Sequence, residues 1–526
     1  MNKTIPDLEQ RRQAISPKGS FIVQAPAGSG KTSLLVQRYL KLLALVDHAE
    51  EIVAITFTRK AAAEMQGRIV KALERARLNV PPEDDVTRVT DELAREVLAQ
   101  DEKRQWQLEQ NPGRLRIQTI DSLCAGLTRQ MPVLAKFGAQ PEIVDDASDL
   151  YAEAAANTLA ELESGESWSE DIAVLLAHLD NNLPLVRDML ADMLKRRDQW
   201  LRHVTRENRR GELEGALKHI VESTLAIVRR TFPEQYVHEF LECLRYASEN
   251  LVRENCNSPF RGCAGIDDLP GTTAIELSRW RAIAEICLTE NDNWRKQANA
   301  KIGFPAPAGS AQEKNHRKNM KDRFQELLSQ LSVNDDLLRV LVEVKCLPTP
   351  AYTDNEWRVV QALCQLLVLA DAQLRVLCSE RNQVDFTGIA RAAIEALESD
   401  DAPTDLALHL DYQIRHLLID EYQDVSIQQY RLVQQLTAGW APGDGHTLFL
   451  VGDPMQSIYR FREAEVGLFI TTWQEQRLGQ VPLVPLNITV NFRSGAGIVD
   501  WVNQTFNRVL PEIADSARGA VKFTPA

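Results

Sequence analysis

The stretch LLIDEYQD at residues 417–424 places an apolar run directly before three carboxylates. The run from His416 to Ile419 has the composition of a short buried strand. Buried strands rarely end in several acids unless those acids hold a metal ion or activate a water molecule. The alternative is a solvated acidic turn between this strand and a helix that begins near Ser426. The rest of the chain decides between these two interpretations.

A second stretch, APAGSGKT at residues 25–32, has the small residues and the Lys-Thr pair of a phosphate-binding loop. It lies between an apolar strand pattern at Phe21–Ala25 and an apolar helical stripe at Lys31–Leu45, which is the context such a loop requires. An ordinary glycine-rich turn is the alternative, and Ala25 stands where glycine is usual. The residues predicted to bind a nucleotide are Ala25, Pro26, Ala27, Gly28, Ser29, Gly30, Lys31 and Thr32.

The loop and the acids supply complementary chemistry. Lys31 is expected to reach the β- and γ-phosphates, and the Thr32 hydroxyl is expected to hold Mg²⁺. Asp420 would coordinate the same ion, usually through water, and Glu421 would polarise the attacking water. The sequence therefore predicts a site for ATP and Mg²⁺ in which Thr32 and Asp420 are the metal-binding residues.

Strand and helix patterns alternate over the first 145 residues, and strand patterns return at His416–Ile419 and Thr447–Val451. Such alternation predicts an α/β fold with a parallel sheet whose faces are covered by helices. From about residue 147 to residue 393 apolar residues recur at helical spacing and strand patterns nearly vanish. Two loop-like breaks, at residues 257–272 and 303–310, interrupt this region. It is interpreted as a large helical insertion.

The composition excludes several classes of protein. The chain has 526 residues and a formal net charge of −14, which argues against coating nucleic acid by bulk charge but permits a local basic groove. The eight cysteines form no CxxC pair, so reduced thiols are favoured over a zinc or iron–sulfur site. The N-terminal segment has no apolar core, and no apolar run approaches about 18 residues. These features predict a cytoplasmic protein that contacts no membrane.

Six segments in a fixed order make the chain resemble the UvrD/Rep-type superfamily 1 DNA helicases, and within them the RecB/AddA-like helicase–nuclease branch. The ordered set is highly specific, although the shorter members alone would be weak signals. The segments are APAGSGKT (25–32), ITFTRKAAAEM (55–65), IQTIDSLC (117–124), LLIDEYQD (417–424), VGDPMQSIYRFR (451–462) and NFRS (491–494).

The resemblance implies a RecA-like P-loop NTPase sheet with a large all-helical insertion and the beginning of a second RecA-like domain. The implied boundaries are 1–146 with 394–483 for the first motor domain, 147–393 for the insertion and 484–526 for the start of the second domain. A complete second motor domain and a nuclease domain are not in the sequence. The chain is therefore expected to be part of a longer protein, unless a partner chain supplies the rest.

The resemblance also implies roles around the nucleotide. Gln456 would sense the γ-phosphate and couple hydrolysis to movement on DNA, and Arg493 would act as an arginine finger. Phe492 would stack on the adenine. An ordinary exposed arginine is the alternative for Arg493, because arginines are mostly exposed.

The resemblance implies a track for single-stranded DNA, with residues that face it from two sides. Base stacking needs aromatic faces, and phosphate binding needs hydroxyl or cationic donors. A core side chain at the end of a strand is the alternative for Phe57. The residues implied to bind DNA are Thr56, Phe57, Thr58, Thr119, Asp121, Ser122, Tyr459, Phe461 and Arg462.

Two residues depart from the family pattern. Arg11 stands at the position where the family often has a glutamine that reads adenine, which leaves the selectivity for ATP open. Phe461 stands where tryptophan is frequent, so stacking is kept but the indole N–H is lost.

The expected activity is that of an ATP-dependent DNA helicase, 3′ to 5′ by resemblance, that acts in repair or recombination. Its expected partners are single-stranded DNA, duplex DNA ends and a helicase or nuclease subunit. Two alternatives stay open. One is a P-loop ATPase that works as a switch, and the other is a DNA- or partner-binding module with a residual nucleotide pocket.

Overall fold

The computed structural model describes residues 6–130, 141–204, 209–253, 263–397, 410, 413–458, 464–511, 514–516 and 519–525. Contacts divide the chain into two compact units. Unit 1 is Met1–Arg202 with Gln365–Ala526, and unit 2 is His203–Cys364. The boundaries implied by the family resemblance lie elsewhere, near residues 146, 393 and 483, and they stay a prediction.

Ten strands are present in the described part of unit 1. Six of them form a parallel sheet in the order β10-β1-β7-β6-β2-β3, while β4 pairs with β5 in parallel and β8 pairs with β9 antiparallel. The bounds are β1 Phe21–Gln24, β2 Ile52–Thr56, β3 Arg116–Thr119, β4 Glu142–Ile143, β5 Gln383–Val384, β6 His416–Ile419, β7 Thr447–Gly452, β8 Arg477–Leu478, β9 Val481–Pro482 and β10 Val484–Asn487.

Helices connect these strands and build unit 2. Within the described residues they are α1 Leu8–Ile15, α2 Lys31–Leu43, α3 Arg59–Arg77, α4 Asp85–Arg104, α5 Ile120–Gln130, α6 Ser148–Ala160, α7 Ser167–His178, α8 Leu183–Lys195, α9 Arg197–Val204, α10 Arg209–Thr231, α11 Glu234–Arg253, α12 Leu277–Cys287, α13 Ala311–Leu331, α14 Asp335–Cys346, α15 Asp354–Arg381, α16 Phe386–Leu397, α17 Ile427–Leu436, α18 Val466–Glu475 and α19 Ala496–Val509.

The six-stranded sheet separates two hydrophobic cores. Alternate residues of a strand face opposite sides, so Val23 of β1 lies in a core with residues of α2, α3 and α4. Its neighbour Ile22 lies in the other core, with residues of α5, α16, α17 and α18. All residues of β1, β2, β6 and β7 are buried, as expected for strands covered on both faces. The α/β sheet predicted from strand–helix alternation is confirmed.

Unit 2 is helical, as predicted for the insertion. Its core is formed by residues of α10 to α14 and the loops between them. Trp280 is fully buried there, and the rings of Phe304 and Phe324 stack with their centroids 4.6 Å apart. Ser310 and Glu313 form a reciprocal capping box at the start of α13, which fixes where this helix begins after the predicted break at residues 303–310.

A buried charge network, here called the Arg197 network, joins α9 to the start of α16 in unit 1. Arg197 donates two hydrogen bonds to Asp385, at 2.7 and 2.5 Å, and lies 3.5 Å from Asp371. The hydroxyl of Tyr151 donates to Asp385 at 2.7 Å, and Arg391 donates to Asp371 at 2.9 Å. Burial works to raise the pKa of Asp385, but the charge and hydrogen bonds of Arg197 and the Tyr151 bond lower it overall.

Among the described residues, one helix, Asp354–Arg381, is long and apolar enough by composition to cross a membrane, and half of its most apolar window is buried inside the protein. Core helices also have this composition, and Ala370, Leu374 and Leu377 of this helix lie in a hydrophobic core.

Seven cysteines are free in the part of the chain that the structure describes.

The parallel sheet brings distant sequence segments together. The carboxyl ends of parallel strands meet at one edge of a sheet, where open α/β sheets bind their ligands. The loops after β1, β6, β7 and β10 leave neighbouring strands at that edge. β10 follows the implied boundary at residue 483, yet it pairs with β1 from Phe21–Val484 to Gln24–Asn487. This pairing delivers residues 491–494 to the phosphate-binding loop.

Candidate nucleotide-binding site

The loop between β1 and α2 has the backbone of a phosphate cradle. Gly28 and Gly30 have φ angles of 80° and 84°, a conformation that favours glycine. A Cβ atom on Gly28 would lie 2.6 Å from the side-chain oxygen of Asn491, so a larger residue has no room there. Gly30 is also the N-cap of α2, and the first N–H groups of a helix point toward bound anions.

The predicted acids lie beside the loop. Lys31 Nζ is 3.3 Å from Glu421 Oε2, and Lys31 begins α2 while Glu421 lies in the loop after β6. Glu421 has a φ angle of 52°, which is strained for a residue with a side chain. Its N–H donates to Asp420 Oδ1 at 3.0 Å. The loop and the acids therefore meet as the sequence predicted, with the Glu421 carboxylate held toward the lysine.

Four carboxylates crowd this edge of the sheet, and together they are called the acidic edge: Asp420, Glu421, Asp424 and Asp453. Burial, and then the Glu421 charge, raise the pKa of Asp420 to about 7. Burial also raises the pKa of Asp424 to about 6 and raises the pKa of Asp453. Lys31 is the cation that opposes these shifts. An added cation would therefore stabilise the acidic edge.

Gln423 links the acids to the next strand. Its side chain is buried, and its Nε2 donates to Glu421 Oε2 at 2.8 Å and to Asp424 Oδ2 at 3.1 Å. Its Oε1 accepts the N–H of Asp453 at 2.9 Å. A Cβ atom on Gly452 would lie 2.4 Å from that oxygen, so the glycine makes room for the bond. Gln423 thus couples the loop after β6 to the loop after β7.

Gln456 lies at the end of this chain of contacts. Its Nε2 donates to Asp453 Oδ2, and Asp453 Oδ1 accepts the N–H of Met455 at 3.1 Å. The hydroxyl of Ser457 donates to Asp424 Oδ1 at 3.0 Å. The predicted γ-phosphate sensor is therefore connected to Glu421 through Asp453 and Gln423.

The segment that follows β10 lies against the phosphate-binding loop. Asn491 Nδ2 donates to the Ala27 carbonyl at 3.0 Å, and the Phe492 N–H donates to the Gly28 carbonyl at 2.8 Å. Asn491 Oδ1 accepts the N–H groups of Arg493 and Ser494 at 2.8 and 2.9 Å. Arg493 is exposed and lines a cavity of about 550 Å³ together with Gln456. The structure brings two of the three predicted catalytic side chains, Gln456 and Arg493, to that cavity, and the third, Glu421, is not among its lining residues.

An aromatic and cationic wall stands over the first turn of α2. The Arg11 guanidinium lies 5.0 Å from the centroid of the Phe492 ring, which is 52% exposed. Both side chains come within 4 Å of the place where a Cβ of Gly30 would be. Arg11, which stands where the family often has glutamine, therefore faces Phe492, the predicted adenine-stacking residue. The neighbouring glutamine, Gln10, already has a hydrogen-bond partner, since its Oε1 accepts the Asn487 N–H at 2.8 Å.

The side chains present fit a nucleotide with its metal ion. The hydroxyl of Ser29 in the loop is buried and has no hydrogen-bond partner in the described part of the protein, which suits a donor to a phosphate oxygen. Thr32 and Asp420 offer the oxygen ligands that Mg²⁺ prefers. No group of three or more His, Cys, Asp and Glu side chains among the described residues could hold a metal ion by itself. The phosphates of the substrate would complete such a site, as is usual for Mg²⁺.

The hydroxyls predicted to line a DNA track have bonds within the protein. Thr58 caps α3 by accepting the Ala61 N–H at 3.1 Å, and Thr56 Oγ1 donates to the Thr58 carbonyl. Thr119 Oγ1 lies 2.8 Å from the hydroxyl of Ser122 at the start of α5. These residues shape the loops after β2 and β3, and their role in DNA binding stays a prediction.

Phe57 and Asp121 line a cavity of about 340 Å³ that Phe386 and Tyr151 also line. The Phe57 ring is partly exposed rather than enclosed in the core. The other three predicted DNA-binding residues, Tyr459, Phe461 and Arg462, lie outside the described residues.

Four side chains matter here that the sequence did not assign: Asn491, Asp453, Gln423 and Arg11 as a stacking partner. Asn491 and Asp453 lie inside the quoted segments NFRS and VGDPMQSIYRFR, so the motifs marked their neighbourhood. Their bonding depends on contacts between residues that are far apart in sequence, which no local pattern reveals.

Residues 7–476 match the family model described as the UvrD/REP helicase N-terminal domain. Among curated proteins, the chain is 26% identical over 530 residues to an ATP-dependent helicase/nuclease subunit from Desulfitobacterium hafniense, which covers 95% of this chain and 36% of that protein. It is 26% identical over 544 residues to the protein of the same name from Exiguobacterium sibiricum, covering 98% of this chain and 41% of the relative.

A third relative, the protein of that name from Lactobacillus acidophilus, is 25% identical over 532 residues, covering 95% of this chain and 40% of that protein. The chain spans about two fifths of the length of the curated relatives it matches. The family match extends over most of the sequence and includes the loops after β1, β6 and β7 that build the site. The chain belongs to the family of UvrD/REP helicase N-terminal domains.

Proposed function

We propose that this chain is the ATP-binding motor portion of an ATP-dependent DNA helicase that moves along single-stranded DNA during repair or recombination. The observation that carries the proposal is the continuous connection from Lys31 through Glu421, Gln423 and Asp453 to Gln456. It joins the predicted phosphate-binding lysine to a predicted sensor in the segment that follows β7. A protein that only binds nucleotide has no need for such a connection.

The first step is binding of the triphosphate. The loop N–H groups, the N-terminus of α2 and the Ser29 hydroxyl would hold the phosphates, and Lys31 would turn from Glu421 toward them. Thr32 and Asp420 would hold Mg²⁺, which when bound supplies positive charge that the crowded carboxylates lack. The flat base would lie against the wall of Arg11 and Phe492, and stacking of this kind accepts any base.

Hydrolysis would follow when the Glu421 carboxylate is released from its ion pair with Lys31. In the structure its Oε2 is shared between Lys31 at 3.3 Å and Gln423 at 2.8 Å. When phosphates draw Lys31 away, the carboxylate keeps the Gln423 bond and becomes free to accept a proton from an attacking water. Arg493 would stabilise charge that develops on the transferred phosphoryl group.

Coupling to DNA would run through the same bonds. A change at the γ-phosphate that moves Gln456 also moves Asp453, whose N–H is fixed to Gln423. The loop after β7 continues into the segment predicted to face DNA. Movement from 3′ to 5′, and assembly with a second helicase or nuclease chain, are parts of the proposal that rest on the family and on the names of the relatives.

The binding step is tested by titrating the purified chain with a fluorescent ATP analogue and Mg²⁺. Lys31→Ala is expected to weaken binding by about 100-fold, because it removes a charged phosphate contact. Lys41→Ala is the matched control, since Lys41 lies on the same helix and pairs with Glu96 at the surface. Equal affinities for the two variants would remove the basis of the proposed site.

The hydrolysis step is tested by the ATPase rate of this chain, and of the longest reading frame that contains it, with and without single-stranded DNA. Glu421→Gln is expected to keep Mg·ATP binding and to lower the DNA-stimulated rate by about 10²–10⁴-fold. ATPase activity that DNA does not stimulate would favour a switch instead of a motor. Binding without hydrolysis, both by this chain and by that reading frame, would favour a module with a residual pocket.

The direction of movement is tested with partial duplexes. A duplex with a 3′ single-stranded tail is expected to be unwound in an ATP-dependent manner, whereas one with a 5′ tail is not. The opposite preference would exclude the 3′-to-5′ assignment and leave the motor function itself intact.

A further inference from the structure

Arg38 is a fully buried cation on the helix that begins at the phosphate-binding loop. It lies about two turns after Lys31 on α2, and its guanidinium carbon is 5.1 Å from the centroid of the Phe21 ring and 4.7 Å from that of Phe449. Arg38 has no carboxylate partner among the described residues. Burying a cation without a counter-ion is costly, and burial lowers the pKa of Arg38 to about 9.

The guanidinium donates hydrogen bonds to three backbone carbonyls. Its Nη1 donates to Ala14 at 2.8 Å and to Ser16 at 2.6 Å, and its Nη2 donates to Gly19 at 3.0 Å. These carbonyls belong to the last turn of α1 and to the loop that leads into β1. The planar guanidinium of Arg38 thus binds three carbonyls of the segment 14–19 at once. Its charge lies at the C-terminal end of α1, where cations are favourable.

Helix α1, which Arg38 contacts at its C-terminal end, lies on the side of the proposed site where the nucleotide base would bind. Arg11 of α1 lies over Phe492, and Asp7, just before α1, accepts from Arg11 at 2.7 Å. Asp7 also accepts the N–H groups of Thr489 and Val490 at 2.9 and 3.0 Å. The N-terminal end of α1 is therefore bonded to the segment after β10, while its C-terminal end is bonded to α2 through Arg38.

We propose that Arg38 is a positioning residue for the nucleotide base, which it serves by fixing the distance between the phosphate-binding loop and the Arg11–Phe492 wall. The inference rests on the proposed function and adds a division of labour to it. Lys31 and the loop hold the phosphates, and Arg38, which touches neither phosphates nor base, keeps the stacking wall in register with them. Its loss should affect a ligand with a base and spare a ligand without one.

The experiment compares Mg·ATP with inorganic tripolyphosphate by calorimetric titration of the whole chain. Arg38→Met keeps the volume and removes the donors. It is expected to weaken ATP binding by about 10-fold, since a small displacement of a binding wall is costly, and to change tripolyphosphate binding by less than about 2-fold. Arg38→Lys keeps the charge and should fall between wild type and Arg38→Met. Arg12→Met changes an exposed arginine on α1, the helix whose C-terminal end Arg38 holds; it is the control and should match wild type.

A double variant separates positioning from general damage. If Arg38 acts through the wall, Arg38→Met should have no further effect on ATP affinity once Phe492→Ala has removed the ring. Additive losses, an equal loss of ATP and tripolyphosphate affinity, or unchanged ATP affinity would each overturn the inference. A wild-type chain that binds neither ligand would instead overturn the proposed function.

A second measurement needs no change at position 38, so it holds even if the Arg38 variants fail to fold. Backbone amide exchange in the segment 14–19 of the wild-type chain should slow when ATP binds, because the base would press on the wall that α1 carries. Tripolyphosphate should leave that segment unchanged while it protects residues 28–32. Equal protection of the segment 14–19 by both ligands would contradict the inference.

Discussion

The acidic edge and the Arg197 network are two buried clusters of charge in the same unit, and they are paired in opposite ways. In the Arg197 network, Asp385 and Asp371 receive hydrogen bonds from Arg197, Tyr151 and Arg391, and the pKa of Asp385 is lowered. At the acidic edge four carboxylates share Lys31, and the pKa of Asp420 is raised to about 7. Within the residues that the structure describes, the first cluster has a donor or cation for each carboxylate, while the second has Lys31 as its cation.

A structural charge cluster and a binding site differ in how fully their carboxylates are neutralised. Both clusters contain buried acids, so burial alone does not separate them. The number of cations and donors that face each carboxylate does separate them, because a completed network has nothing to gain from a ligand. An under-neutralised cluster is less stable as it stands and gains from Mg²⁺ or another cation. The two clusters should therefore respond to substitution with opposite signs.

The largest expected effect is in the Arg197 network. Asp385→Asn leaves Arg197 buried without its main counter-ion and should lower the free energy of unfolding by about 3–5 kcal/mol. Chemical denaturation followed by circular dichroism measures it. Glu64→Gln, which opens an exposed pair with Arg68, is the control and should leave the midpoint unchanged. If Asp385→Asn also left the free energy of unfolding unchanged, the Arg197 network would not be a source of stability.

A smaller loss is expected from the hydroxyl that completes the network. Tyr151→Phe removes the 2.7 Å bond to Asp385 and should cost about 1.5 kcal/mol of unfolding free energy, as for hydrogen bonds to charged groups. The same substitution in the Asp385→Asn background should cost clearly less, because the charged acceptor has gone. Fully additive losses would show that Tyr151 acts independently of Asp385.

The opposite sign is expected at the acidic edge. Asp420→Asn removes one of the crowded charges while it keeps an oxygen for the Glu421 N–H, so it should raise the unfolding free energy of the ligand-free protein by about 1 kcal/mol. The same variant should lose Mg²⁺-dependent nucleotide binding. Denaturation and nucleotide titration on one preparation measure both effects. A destabilised variant would contradict the comparison.

The smallest expected effect is a dependence on pH. The pKa of Asp385 is lower in the folded protein than its ordinary value of 3.8, so the stability it contributes is present above that value and is lost as the pH falls below it. The stability difference between wild type and Asp385→Asn should therefore be constant from about pH 5 to about pH 8 and shrink below about pH 4. A difference that grows on acidification would reverse the assigned sign.

Much of the fold was accessible to sequence reasoning because its signals are local. The expected strands at Phe21–Ala25, His416–Ile419 and Thr447–Val451 agree with β1, β6 and β7 within one residue. The phosphate-binding loop and the acids were also visible as motifs, and the sheet brings Lys31 and Glu421 together. Short apolar runs, glycines and clustered acids carry this information within a few residues.

The remaining features depend on contacts across hundreds of residues. Arg197 gave no sign in the sequence that it would be buried against Asp385, 188 residues away along the chain. Arg38 looked like one polar residue in an amphipathic helix, although it is fully buried. The pairing of β10 with β1 was missed as well, because Val484–Asn487 is short and half-exposed. Packing, rather than local composition, decides such partners.

The two hydrogen bonds between the segment after β10 and the phosphate-binding loop, one from the Asn491 side chain and one from the Phe492 N–H, bear on the rate at which a nucleotide leaves. Ala27 and Gly28 are tied to Asn491 and Phe492, which lie more than 460 residues away in the chain. If a nucleotide is held beneath Phe492, as proposed, we expect its residence time to follow the rate at which these two hydrogen bonds open. The residence time of each nucleotide would then depend on a few hydrogen bonds between uncharged groups, and not on the charges of the acidic edge.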